Sequence, residues 1–512
     1  MNDGNDDVFR DRLGAFREAE ERFFSGGSTP KEYNSVAGGF GSYSQRGGER
    51  GMIRLRLCGG RLDKDKLDFI VAAATRHSVD RIHTTTCECI QLHNLVGDQI
   101  MDIMEGALDH GINTQGAGGD HPRNVSATSL SGVEPGEFFD VYPYAKEAEG
   151  YLLRRMLETR LPRKLKVTFS SSTSNETHAT FRDLGFVARP DGLFDVWSAG
   201  GLGNNPRMGC LVSEAVDPGD TLYHVAAMVD VFTEHGDYDD RTRARTRYIK
   251  DAMGEGAYRD AYLDKLGARM ASGGMGIRPD PIPVPVKEPV RVTGDRIHPQ
   301  RQEGLYYVTY RPVGGDVELR MLSTIADTIR DMEGVELRVS PDSAIHVVNL
   351  SGPEALRVSE VTAGGASNRF ESSVSCIGGS ICSLGVRDSN GLLRRMISAV
   401  REAGIGDDSL PRFRISGCPS SCGAHQVGVV GLQGGSATVD GVPVPAYRVF
   451  VNGCGLQGRE RFGDLVGTVP EGRVPEMVVA IGRAVDSSGM GFDGWLVSRE
   501  GILADVVSAF TV

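Results

Sequence analysis

Long apolar runs are missing from this sequence, and none approaches the ~18 residues that a membrane span needs. The first residues, Met1-Asn2-Asp3-Gly4-Asn5-Asp6-Asp7, are acidic where a secretory leader is basic and then apolar. Cations are in deficit, with 56 Lys and Arg against 68 Asp and Glu and a net charge of -12. That balance argues against sequence-independent nucleic-acid binding, which rests on cationic surface. Cysteine is scarce and odd in number, nine in 512 residues, so there is no disulfide framework. We therefore expect a cytoplasmic protein with neither nucleic acid nor membrane as a partner. A small anion stays open, because a local cluster of cations suffices to bind one.

Apolar residues at 40% and charged residues at 24% describe ordinary globular protein. The length implies three or four packing units. The chain also repeats itself. Gly59-Gly60, Leu67, Ile70, Ile90, Asn94 and Leu95 recur at one constant offset as Gly314-Gly315, Leu322, Ile325, Ile345, Asn349 and Leu350. Each copy reads as a strand, a Gly-Gly turn, a helix and a strand, which is α/β organisation. A second pair of segments matches as well: Ser172 to Gly185 runs alongside Cys418 to Gly431, and Ala199-Gly200-Gly201-Leu202 answers Gly453-Cys454-Gly455-Leu456. Between the two copies, Pro279, Pro281, Pro283, Pro285 and Pro289 mark an extended connection.

The repeat is chemically uneven. Cys418 answers Ser172, and Cys422 answers Glu176. Upstream, Cys376-Ile377-Gly378-Gly379-Ser380-Ile381-Cys382 holds a second pair of thiols with five residues between them. Four thiolates suit tetrahedral zinc or an iron–sulfur cluster, and the wide first gap counts mildly against zinc.

Ser416-Gly417-Cys418-Pro419-Ser420-Ser421-Cys422-Gly423-Ala424-His425 resembles the second cluster motif of sirohaem-dependent sulfite and nitrite reductases. Cys376-x5-Cys382 resembles their first. The resemblance implies a [4Fe-4S] cluster on Cys376, Cys382, Cys418 and Cys422, with Cys422 also bridging to the sirohaem iron. It also implies a mixed α/β (α+β), internally duplicated, pseudo-twofold fold. Two small ferredoxin-like half-domains, 46–115 and 294–362, would alternate with two larger α/β domains. These are a sirohaem and substrate domain without a cluster, 116–271, and a [4Fe-4S]/sirohaem domain, 363–512. An N-terminal extension, 1–45, and the Pro-rich linker, 272–293, complete the expected layout.

Sulfite is a dianion, so several fixed cations should converge on it. Arg54 and Arg56 alternate on a strand, Lys164 and Lys166 do likewise, and Arg123 lies in His121-Pro122-Arg123-Asn124-Val125. By resemblance, Arg54, Arg123, Lys164 and Lys166 are the substrate cations, while Gln91, His93, Asn124 and Arg163 join Cys422 at the sirohaem. Nitrite reductases of that family commonly carry Asn where Lys166 stands, which favours sulfite. One segment departs from the family. In Thr84-Thr85-Thr86-Cys87-Glu88-Cys89-Ile90-Gln91-Leu92-His93, Cys87 replaces the usual arginine and Glu88 the usual glutamine. The Cys-x-Cys reads as a metal or redox pair, or as a packing change.

The expectation is a six-electron reduction of sulfite to sulfide, fed by an external donor such as a ferredoxin or a separate flavoprotein. The alternatives are nitrite reduction to ammonia, a precorrin-3B synthase-like cluster monooxygenase, and a non-catalytic zinc-bound scaffold subunit. Arg241, Arg243, Arg245 and Arg247 read as a solvated helix face or a docking patch for an acidic donor.

Overall fold

The structure is a computed structural model that describes residues 5–512. It divides into two units. The first holds the described residues up to 201, with 207–310 and 317–363; the second holds 202–206, 311–316 and 364–512.

Among the described residues, four five-stranded sheets occur in two matching pairs. In one sheet, Ser42–Ser44, Gly51–Leu55, Ile90–Leu95 and Ile82–Thr84 run side by side, and Asp316–Val317 from the other copy closes the edge. Its counterpart orders Ile297–Pro299, Tyr306–Tyr310, Ile345–Leu350 and Glu336–Val339, and takes Arg61–Leu62 as its fifth strand. Each copy therefore lends the other an edge. In the second case the register is Leu62 against Leu337 and Arg61 against Arg338. Two arginines face to face would repel, but Glu336 lies between them, accepting from Arg61 Nη2 at 2.6 Å and from Arg338 Nε at 2.9 Å.

The Gly-Gly turn makes this exchange possible. Gly59 and Gly60 both have positive φ, and a Cβ on Gly60 would lie 1.9 Å from the Val339 carbonyl oxygen. Only glycine lets the backbones approach so closely. After the turn, Asp63 caps the helix Lys64–Arg76 by accepting from Lys66 N. Leu67, Ile70, Ala73 and Ala74 are its buried stripe. The helix Leu319–Ile329 buries Leu322, Ile325, Ala326 and Ile329 in the same core. Each such Leu or Ile contributes about 1.5–3 kcal/mol by leaving water.

The remaining two sheets also match. Ser126–Ala127, Val167–Ser170 and Leu184–Ala188 pair in parallel, followed by antiparallel Phe194–Ser198 and Cys210–Val216. In the second unit the same sequence of pairings joins Val374–Ser375, Phe413–Ser416, Val430–Val439, Val442–Val451 and Asp464–Pro470. The mixed α/β class and the duplication expected from sequence are the ones observed.

Helices Asn5–Asp11, Leu13–Phe24 and Pro30–Ala37 fall in the stretch set aside as an extension, whose first four positions lie outside the described residues. They send Phe9, Leu13, Phe16, Phe23 and Tyr33 into the first core. No helix among the described residues is long and apolar enough to cross a membrane.

Candidate functional site

The first unit gathers a cationic group around the end of a hairpin. Strands Ile82–Thr84 and Ile90–Leu95 are joined by a tight turn: Thr85 N donates to Cys89 O, Glu88 N donates to Thr85 O, and Glu88 has φ +57°. Cys87 sits at its tip, with the Thr85 hydroxyl accepting from the Cys87 and Cys89 amides. Asn124 fastens the tip from below, since its Nδ2 donates to Cys87 O at 2.9 Å and to Leu57 O at 2.8 Å.

Arg54 projects from the neighbouring strand, in register with Gln91. The Gln91 amide, turned to satisfy both of its ends, accepts from Arg54 Nε at 2.9 Å and from Nη2 at 2.7 Å. Arg54 Nη1 donates to Ala117 O at 2.6 Å. Arg123 is held by the carbonyls of Gly116, Gly118, Gly119 and His121. Burial brings its guanidinium down to about 10, and Arg54 and Arg163 add to that repulsion.

Lys164 and Lys166 flank Leu165, which makes an isolated bridge to Pro122; the regular strand begins only at Val167. Lys166 Nζ donates to Cys87 Sγ at 3.2 Å. Burial alone would raise the Cys87 thiol, but Lys166, Arg182 and Arg54 outweigh it and bring it down to about 6. A thiolate therefore stands among the cations at neutral pH. Lys166 itself is lowered: the Cys87 charge raises it, and burial with Arg182 and Arg245 overrides that gain.

Two of these cations lay outside the set read from sequence. Arg182 is fixed by Nε to Thr177 O at 3.0 Å. Arg245 pairs through Nη2 with Asp183 Oδ2 at 2.7 Å, where Asp183 is fully buried. Asp183 also accepts from Lys166 N and from the Thr246 hydroxyl, so one carboxylate ties the two segments together. The reading of Arg241 to Arg247 as a solvated or docking face is overturned for its second half. Arg245 is largely covered, and Arg247 is 5% exposed with its guanidinium 4.8 Å from the Tyr248 ring centre.

The other expected residues are placed as follows. Arg163 pairs with Asp120 at 2.6 Å, and Arg241 pairs with the same carboxylate. Gln91 braces Arg54, while His93 Nδ1 meets Gln45 Oε1 at 3.2 Å in a buried setting. Cys89 is buried, its thiol pushed by that burial up to about 12, and it donates to Cys87 O; it is a packing residue.

In the second unit the four cysteines occupy two loops laced together. Cys376 follows the strand Val374–Ser375, and Cys418 follows Phe413–Ser416, its parallel neighbour. Val386 N and Arg387 N donate to Gly417 O, and Gly379 N donates to Arg387 O. Cys376 Sγ accepts from Gly417 N at 3.2 Å and lies 3.0 Å from the Ser389 hydroxyl. Burial raises its thiol, those donors oppose the shift, and Cys418 is near enough to raise it further. A Cβ on Gly417 would come within 2.3 Å of Arg387 O, and one on Gly423 within 2.3 Å of Ile415 O. Small residues are thus obligatory on both sides of the second pair. Among the described residues no three Cys, His, Asp or Glu close on a single ion position. A four-iron cluster takes one thiolate per iron, and N–H donors on sulfur are its usual company.

Two family models match this chain. Residues 43–110 match the nitrite/sulfite reductase ferredoxin-like half domain, and residues 118–270 match the nitrite and sulphite reductase 4Fe-4S domain. Both matches fall in the first copy of the repeat, and the second of them covers the segment in which Ser172 and Glu176 stand in place of thiols. The chain is 26% identical over 429 residues to the ferredoxin–nitrite reductase of Synechococcus elongatus, covering 79% of this chain and 80% of that one. It is 26% identical over 436 residues to sulfite reductase [ferredoxin] 1 of Mycolicibacterium paratuberculosis, covering 80% and 75%. In fold it is similar to the solved Mycobacterium tuberculosis NirA protein, with a TM-score of 0.80, 21% identity and coverage of 96% and 94%.

Proposed function

We propose that this chain is a member of the sirohaem-dependent nitrite and sulfite reductase family, that its substrate is sulfite and that its donor is a ferredoxin. The chain is an oxidoreductase, and its family carries sirohaem and a [4Fe-4S] cluster. When bound, those groups supply the path for six electrons. On this reading Cys376, Cys382, Cys418 and Cys422 would hold the cluster, and Cys422 would also serve the sirohaem. The chain's own part in the chemistry is to bind the anion and to feed it protons. Sulfite takes up six electrons and seven protons to give hydrosulfide and three waters, so both tasks are demanding.

The observation that carries the reading is the cationic group itself. Arg54, Arg123, Lys166 and Arg182 all act on Cys87 or on one another. Each is fixed by carbonyl or side-chain oxygens or by a thiolate, so little reorganisation is needed when an anion arrives. Gln91, Asn124 and Arg163 are supports in this scheme. Gln91 and Asn124 orient Arg54 and the hairpin tip, and Arg163 fixes Asp120. Lys164 stands two residues before Lys166 and is assigned to the same anion, and His93 to the sirohaem edge.

One observation favours nitrite instead. The Cys87 thiolate cancels a charge on Lys166, which leaves the pocket better matched to a monoanion. Anaerobic turnover of both anions with a reduced one-electron dye decides between the readings. Lys166→Asn is expected to shift the ratio of the two kcat/KM values toward nitrite by about tenfold, which corresponds to about 1.4 kcal/mol. A wild type that strongly prefers nitrite, or a ratio that does not move, overturns the sulfite reading.

A further inference from the structure

Arg54, Arg123 and Arg182 in the cationic group are poor proton donors at neutral pH, because guanidinium does not give up its proton there. Reduction of an oxyanion nevertheless consumes a proton for every oxygen lost as hydroxide and more to make water. Within the cationic group, the Cys87 thiol is brought down to about 6, within reach of neutral pH, and Lys166 contacts it directly. Its surroundings are well defined. Lys166 Nζ donates to Sγ at 3.2 Å, and Arg54, Arg123 and Arg182 add positive charge. On the acidic side stand Glu88, raised well above its ordinary value by burial and by Glu176, and Cys89, pushed by burial up to about 12, while Asp183 and Arg245 flank Lys166. A second observation points to a visiting molecule. Asn124 is 4% exposed, its amide nitrogen grips the Cys87 carbonyl, and its Oδ1 is a buried acceptor with no donor. An orphan acceptor on the residue that grips the Cys87 carbonyl is open to a donor from a bound species.

We propose that Cys87 is a proton-storing residue of the anion site, a thiolate on Lys166 while the site is empty and a thiol once an oxyanion has claimed the lysine. The proposal rests on the reading that Arg54, Arg123 and Lys166 bind the substrate anion. In the empty site the Lys166 charge holds Cys87 deprotonated. When an anion arrives, Lys166 turns its charge to the newcomer and a second negative charge appears beside the sulfur. Both changes favour the neutral thiol, so Sγ takes a proton from solvent. The thiol then stands against the anion, and its S–H proton passes to a substrate oxygen as the bond to that oxygen breaks. The hydroxide or water leaves, Cys87 is again a thiolate on Lys166, and no electron has passed through the sulfur.

The sign of the linkage follows. Cys87 titrates at about 6 in the empty protein, so above that pH each anion bound should bring about one proton with it. Below about pH 5 the thiol is already present and uptake vanishes. Nitrite is the probe, because it has no proton of its own to release in this range. Calorimetric titration of the full-length oxidised protein at pH 7.5, in two buffers of different ionisation heat, reads the proton count directly. We expect about one proton per nitrite in wild type and none in Cys87→Ser or Cys87→Ala. Alkylation of Cys87 by iodoacetamide should show a midpoint near pH 6, move up by more than one pH unit in Lys166→Met, and be suppressed by nitrite. Binding without proton uptake in wild type overturns the storage role and leaves the anion site standing. Failure of nitrite to bind at all overturns the anion-site reading, and this proposal with it.

Discussion

Cys422 and Cys454 lie in the same unit, and a count of thiols does not tell them apart. Their settings do. Cys422 closes the turn that opens at Cys418, where Ser421 and Ala424 take left-handed φ and Gly423 N donates to the Ser416 hydroxyl. Cys454 sits in an isolated antiparallel bridge with Arg461, and its counterpart in the other copy is Gly200. We expect Cys422→Ser to lose iron and acid-labile sulfide on anaerobic purification, and Cys454→Ala to keep both. Metal and sulfide analysis of the two variants decides it; equal content in both would remove Cys422 from the ligand set. The thiol pairs were visible in sequence because each pair lies within one loop. The charge state of Cys87 was not, because its partner Lys166 is 79 positions away. Arg182 was missed and Arg245 was read as surface for the same reason: what ties Arg245 to Lys166 is Asp183, a buried acid with no motif around it. An acidic residue immediately after Arg182, in a stretch otherwise apolar, was the available hint.

At the scale of single elements, the Gly-Gly turns set the geometry on which the sheets depend. Gly60→Ala combines a left-handed backbone with a Cβ 1.9 Å from Val339 O, so the strand Arg61–Leu62 cannot stay where it is. Gly111 is a matched control, with φ +64° and open space around its Cβ position. Gly111→Ala should cost about 1–2 kcal/mol, the strain of the conformation alone. Gly60→Ala should cost clearly more, read as a larger drop in urea midpoint at unchanged slope. Equal losses would mean that the close approach to Val339 is relieved without disturbing the sheet. The strands and helices around these turns were legible from periodicity, since Leu67 and Ile70 answer Leu322 and Ile325 in position and in burial. Lys164 and Lys166 were not placed correctly in detail, because alternation was taken for a strand. The observed element there is one bridge at Leu165, and it is Asp183 that aims Lys166. The three N-terminal helices were passed over because they lie outside the repeat, although Phe9, Phe16 and Phe23 recur at heptad spacing.

For the molecule as a whole, one core draws its residues from both copies, Ile53 and Leu92 beside Val308 and Val347. A chain cut in the proline-rich stretch tests how far the copies depend on each other. Arg278 pairs with Asp217 and Lys287 with Glu354, so a break between Pro281 and Ile282 leaves each flank with its own half. The fragment 1–281 would lack an edge strand and much of its core. We expect it to be expanded or aggregated alone and to regain a cooperative melt when refolded with 282–512. A monomeric, cooperatively melting 1–281 would show that the exchanged strands are dispensable. Sequence revealed the duplication but not the exchange, since a two-residue strand such as Arg61–Leu62 carries no periodic signal of its own.

That loan of strands has a corollary for how such a chain can change. A polypeptide bearing a single copy could satisfy the same edges only by swapping them with a second, identical molecule, and every substitution would then appear at both symmetry-related places. Joining the copies in tandem keeps the swap but makes it intramolecular, at high effective concentration whatever the protein level. It also frees the two places to diverge. A change on one side is no longer mirrored on the other, so Cys418 and Cys422 can stand opposite Ser172 and Glu176 within one shared architecture. Asymmetric chemistry on a symmetric frame is open to the fused chain and closed to the swapped pair.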